Sequence, residues 1–197
     1  SAIDAVPDFQ HQFGTGELSE AFQMIAKTIA ARETLGFQRQ IFFVNFGGWD
    51  HHDEVLENQA GMLAEVSTAL GDLNAALEEL SVQDCVTTFT ISDFARTLTS
   101  NGNGTDHAWG GNMMVMGGAN LNGGRLYGTY PSLELGFGNP LDLSDGVLIP
   151  TTAATEYMAE LGSWFGVSGS QLDEIFPTLQ NFYDTTSPDL PIGFLNL

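Results

Sequence analysis

Residues 39–52, RQIFFVNFGGWDHH, decide the fold, because an apolar, β-prone run passes through a glycine pair into an acid and two imidazoles. Residues 39–46 read as a short buried strand ended by Gly47 and Gly48. Asp50, His51 and His52 then hang from its carboxyl end. Residues 54–80 follow, with Val55, Met62, Val66, Leu70, Leu73, Leu77 and Leu80 at helical spacing, which predicts a long amphipathic helix with its stripe on a sheet. Residues 82–92 read as the next strand, with Cys85 buried in it and Asp93 at its carboxyl end. A strand–helix–strand unit is normally right-handed and parallel, which predicts an α/β domain. Ligands of such sheets gather beyond the carboxyl ends of the strands, so Asp50, His52 and Asp93 converge if the two strands are neighbours.

Outward from this unit, residues 17–35 place Leu18, Phe22, Ile25 and Ile29 at helical spacing, and Gly36 follows as a stop. Residues 112–116 are a short apolar run, and residues 123–130 read as an extended segment that continues the sheet. Residues 131–150 lack periodicity and read as a long loop. Thr151 or Thr152 is positioned to cap a helix running to about Phe165, with Gly166 as its stop, and residues 170–175 predict a further short helix. The expected organisation is an N-terminal extension over 1–16, one α/β domain over 17–184, and an irregular, peripheral tail over 185–197.

The chain has 197 residues, 43% of them hydrophobic, enough for a sizeable core. Its 25 acidic and 5 basic residues give a net charge of −20, which repels nucleic acid and anionic membrane surfaces. Neither a nucleic-acid partner nor a membrane span is expected, since no apolar stretch approaches the ~20 residues that cross a bilayer. No signal peptide opens the chain, and the first residue is not Met, so a processed product or a fragment is expected. The single cysteine leaves the redox compartment open.

Three of the four histidines fall in two loops, His51 and His52 in the first and His107 in the second, NGNGTDHAWGGNMMVMGG over 101–118. Asp50, His52, Asp93 and His107 supply two carboxylates and two imidazoles, a donor set that suits Zn²⁺ and, with more oxygen ligands, Ca²⁺ or Mn²⁺. The alternative is ordinary turn chemistry, with Asp50 accepting loop amides, His52 capping the next helix, and Asp106-His107 in an Asx-type turn. The glycines of 102–118 argue for close backbone approach as much as for flexibility. Trp49 and Trp109 either line a cleft or pack in the core. Arg96 either pairs with Asp93 or binds a substrate anion. No G-x-S-x-G elbow and no phosphate-binding P-loop occurs.

The succession GGWDHH, long helix, SDFART, GTDHAWGGNMMVMGG and GGRLYGTYP resembles the secreted bacterial family known as domain of unknown function 1501, over roughly 17–185. That family looks like a branch of the alkaline phosphatase and sulfatase superfamily. The resemblance implies an α/β/α sandwich with a mostly parallel sheet, of which this chain is the C-terminal portion, and metal-dependent hydrolysis of phosphate or sulfate esters. It implies a periplasmic or secreted location, an anionic ester substrate, and a metal held by Asp50, His52 and His107. Where the superfamily has an adjacent Asp-His pair for a second metal, Asp93 is followed by Phe94, and Asp106 is the residue that could compensate. Arg96 and Asp106 are thus the candidate catalytic residues, and Asp50, His52, Asp93 and His107 the candidate metal ligands. The nucleophile is expected in an N-terminal half of the same precursor or in another subunit. The alternative function is a non-catalytic extracellular binding or assembly protein that keeps the scaffold.

Overall fold

A computed structural model describes residues 1–196 of the chain. Leu197, the end of the expected tail, lies outside the described residues. The chain separates into two compact units, Ser1–Val86 with Asn101–Gly104, and Thr87–Ser100 with Thr105–Leu197. No described helix is long and apolar enough to cross a membrane.

The first unit is helical. α1 (Glu17–Ala30) and the single turn α2 (Arg32–Leu35) occupy the stretch expected to be helical, broken at Ala31 and ended by Gly36 at φ 73°. α3 (Val55–Glu79) matches the expected long helix. α1 buries Leu18, Ser19, Phe22, Ala26 and Ile29, a face repeating every three to four residues. α3 answers with Ala69, Asp72, Leu73, Ala76 and Leu77. The two helices pack together, and alanines 26, 69 and 76, all at 0% exposure, let the backbones approach closely. The stripe of α3 therefore packs on another helix and not on a sheet. Its N-terminal half stays open, with Leu56 and Leu63 exposed.

The second unit holds two antiparallel ribbons. β1 (Thr88–Phe89) pairs with β4 (Val115–Met116). β2 (Ala95–Ser100) pairs with β3 (Thr105–Ala108), matching Arg96 to His107 and Ser100 to Thr105. Between those pairs the register shifts, a bulge on β2. α4 (Ala154–Phe165) and α5 (Gly169–Ile175) follow, and α4 ends at Gly166 with φ 100°. Ala153, and neither Thr151 nor Thr152, is the N-cap of α4; its amide donates to Glu156 at 2.8 Å. One core cluster joins Ala159, Leu172 and Leu179, and another joins Leu161, Phe194 and Leu195. Tyr157 ties α4 to the β1–β4 ribbon by donating to the carbonyls of Thr90 and Met114, and burial pushes its phenol above the ordinary range.

This architecture overturns the mostly parallel α/β/α sandwich, since among the described residues every strand pairing is antiparallel and each sheet has two strands. Residues 39–46 form no strand, and Ile41 and Phe43 are 78% and 76% exposed. The run expected over 82–92 contracts to β1, preceded by a 3₁₀ turn at Gln83–Cys85, so Cys85 is an exposed turn residue. Residues 123–130 contain no strand. A strand needs a neighbouring backbone as well as an apolar sequence, and these runs lack the parallel neighbours the pattern implied.

The tail is irregular but not peripheral. Phe194 and Leu195 are buried, and Leu195 bridges Leu121. Glu160, at 0% exposure, accepts the amides of Ile192, Gly193 and Leu195 at 2.7, 2.7 and 2.8 Å. Three charge-assisted hydrogen bonds compensate the burial of this carboxylate and fix the tail on α4.

Candidate metal centre

In the first unit, residues 46–52 are folded by bonds that the sequence supplies locally. Trp49 Nε1 donates to the Phe46 carbonyl at 2.8 Å, and the two rings meet edge to face at 5.9 Å. The amides of His51 and His52 then donate to the carbonyls of Trp49 and Asp50 at 2.9 and 3.1 Å, two consecutive three-residue turns. His51 is buried beside Trp49, at 6% exposure. Asp50 and His52 face the other way, their side chains 54% and 48% exposed, with His52 Nε2 2.9 Å from Asp50 Oδ1.

The turn Asn101–Gly104 holds this loop. Asn101 Oδ1 accepts the Gly104 amide at 2.9 Å, an Asx-type closure five residues ahead of the one expected at Asp106, while its Nδ2 donates to the His52 carbonyl at 3.2 Å. Asn103 adds two ties, its carbonyl accepting from Val55 N and its Nδ2 donating to Asp53, both at 3.3 Å. Gly104 is obligatory, since a Cβ there would lie 2.3 Å from both the carbonyl carbon and the oxygen of His52.

In the second unit, Asp93 sits in an exposed bend ahead of β2 and not at the end of a strand. Asp106 and His107 lie within β3, on its exposed positions, not in a loop. The His107 ring stacks flat on Phe94, 4.3 Å between centroids and 10° between planes. Arg96, opposite His107, donates to the hydroxyl of Thr105 at 2.8 Å and to its carbonyl, and lies 5.7 Å from the Phe94 ring centre. The Asp106 amide donates to Thr97 Oγ1 at 3.1 Å. Trp49 is half-buried, whereas Trp109 is 67% exposed and packs in no core. Asp50, His52 and His107 each present a ligand atom and are exposed.

A second acid–imidazole group escaped the sequence reading. Asp72, on the buried face of α3, accepts from His11 Nε2 at 2.8 Å and from Ser19 Oγ and the Gly14 amide at 2.9 Å each. Burial pushes its carboxyl up, but the Gly14, His11 and Ser19 donors outweigh it and hold the pKa below the ordinary value of 3.8. The available signal was an acid among Ala69, Leu73 and Ala76, where an apolar residue is expected. The carboxylate stands between serine and histidine, so the hydroxyl donates to Asp72 and the imidazole is not its partner. This is a structural anchor and not a nucleophilic triad.

The family described as Protein of unknown function (DUF1501) matches residues 6–176, which contain both clusters. The chain belongs to that family. No curated protein and no solved structure matches it.

Proposed function

We propose that this family member binds a divalent cation through Asp50 and His52 and serves the hydrolysis of phosphate or sulfate esters in a periplasmic or secreted setting. The observation carrying this reading is the exposed pair itself, an imidazole nitrogen and a carboxylate oxygen 2.9 Å apart on a loop fixed by the 101–104 turn. That donor chemistry fits Zn²⁺ or Mn²⁺, and Ca²⁺ if more oxygens join it. A bound cation would polarise an ester and lower the pKa of water. Asp50 and His52 bind, the Asn101 and Gly104 contacts orient them, and Arg96 is the candidate for the substrate anion. Asp93 and His107 enter as further ligands, and Asp106 as a catalytic group, on their sequence pattern. The nucleophile other than water is assigned to an N-terminal half of the same precursor or to another subunit.

The test is bound metal after loading with Zn²⁺, Mn²⁺ or Ca²⁺, with hydrolysis of p-nitrophenyl phosphate and sulfate. Retained metal that falls about tenfold or more in Asp50→Ala and His52→Ala supports the reading. The same fall in His107→Ala or Asp93→Ala adds that residue to the site. A protein that retains none of the three metals overturns it.

The second reading is a non-catalytic binding or assembly protein. The observation favouring it is the apolar run 40–46, which reaches the surface without a sheet.

A further inference from the structure

Arg96 and His107 are paired across the β2–β3 hairpin, and Phe94, two residues before Arg96, stands diagonal to His107 on the same face. The Phe94 ring lies flat on the imidazole, 4.3 Å between centroids and 10° between planes. Phe94 is itself held. Ser92 Oγ donates to its carbonyl at 2.7 Å, and the Arg96 guanidinium, fixed on Thr105, lies 5.7 Å from its ring centre. All of these contacts run within residues 92–107, so the stack is a property of the hairpin itself. Without it, an imidazole on an exposed strand position visits about three χ1 wells and two ring orientations.

We propose that Phe94 is a positioning residue, which holds the His107 imidazole in the orientation from which it ligates the cation. The inference rests on the reading that counts His107 among the metal ligands. The stack covers the face of the imidazole, whereas the lone pair that binds a cation lies in the ring plane. Phe94 therefore fixes the ring and consumes neither of its nitrogens. With about six orientations reduced to one, the ligand is set in advance, and losing Phe94 lowers affinity by the fraction of time the ring stays aligned, on the order of fivefold. A stack that only steadies the hairpin leaves affinity alone, and a leucine serves that purpose nearly as well.

Zn²⁺ is titrated calorimetrically into the chelator-treated intact chain, into Phe94→Tyr, Phe94→Leu and His107→Ala, and into the double variant Phe94→Leu with His107→Ala. Tyrosine keeps the flat ring, and leucine keeps only the apolar bulk. Affinity is expected within about twofold of the parent in Phe94→Tyr, lower by about fivefold in Phe94→Leu, and no lower in the double variant than in His107→Ala. Unchanged affinity in Phe94→Leu while His107→Ala loses about tenfold or more overturns the proposal and leaves the metal reading standing. So does an equal fall from Phe94→Leu with and without His107, or a Phe94→Tyr that falls as far as Phe94→Leu. A parent that binds no Zn²⁺, or a His107→Ala that binds it as the parent does, overturns the metal reading at His107 and this inference with it. Proton NMR of the parent supplies a check that needs no variant. The ring current of Phe94 shifts the His107 ring protons upfield, and that shift is expected to persist in the Zn²⁺-loaded protein. Its loss on loading overturns the proposal, because the imidazole has then left Phe94 in order to ligate.

Discussion

Two carboxylate–imidazole pairs of nearly equal length lie in the first unit, and their surroundings give them opposite characters. His11 and Asp72 are 2.8 Å apart, with the Asp72 side chain 9% exposed; His52 and Asp50 are 2.9 Å apart, with both side chains about half exposed. Asp72 is surrounded by a hydroxyl, an amide and an imidazole that satisfy it in place of water. Its chemistry is spent on holding the segment around Gly14 and Ser19 against α3. Asp50 and His52 meet solvent, where a pair contributes little to stability and a cation can reach it. The lesson is that distance between an acid and an imidazole does not assign a role, whereas burial and the number of surrounding donors do.

The contrast breaks most sharply at Asp72. Asp72→Ala leaves the Ser19 hydroxyl and the Gly14 amide without their acceptor, and costs about 3 kcal/mol in urea unfolding. Because the folded-state pKa is held below 3.8, the contribution is complete above that pH and fades as pH falls through the folded value. Asp72→Asn loses this acid-side slope, and an unchanged slope places the stabilisation elsewhere. Next in size is Gly104→Ala, whose methyl group meets the His52 carbonyl. Displacing the loop costs about 2 kcal/mol, read as a lower thermal midpoint together with faster amide exchange at 51–55. Smallest are Asp50→Ala and His52→Ala in metal-free protein, each within about 0.5 kcal/mol of the parent. A loss near that of Asp72→Ala would make the exposed pair a second anchor and erase the distinction.

What could be read from the sequence followed the range of the interactions. The stretch of α1 and α2 with its stop at Gly36, α3, and α4 with its stop at Gly166 are encoded by local periodicity and, at the two stops, by glycines in left-handed backbone. Residues 39–46 and 82–92 look like strands for the same local reasons, but a strand is completed by its neighbour, and the neighbour is not written in the run itself. Cys85 followed the second of those runs into the wrong class.

At the site, the acid and two imidazoles after Gly48 were legible as a cluster, but which of them turn outward was not, because residues 49–52 form tight turns and not a strand end. The use of Gly104 for close approach was legible in kind but not in partner, since nothing in 101–104 names the His52 carbonyl. The Asp72 group was hidden for a different reason. Its three donors come from residues 53 to 61 positions earlier, and their convergence depends on how α1 and α3 pack.

The exposed pair is proposed to bind a cation, and the buried pair is not. Calorimetric titration of chelator-treated protein with Zn²⁺ tests it most directly, comparing the parent with Asp50→Ala, His52→Ala and Asp72→Asn. Affinity is expected to fall about tenfold or more in the first two variants and to stay unchanged in the third. Equal Zn²⁺ binding by the parent and by Asp50→Ala and His52→Ala, or no binding by the parent, would contradict it.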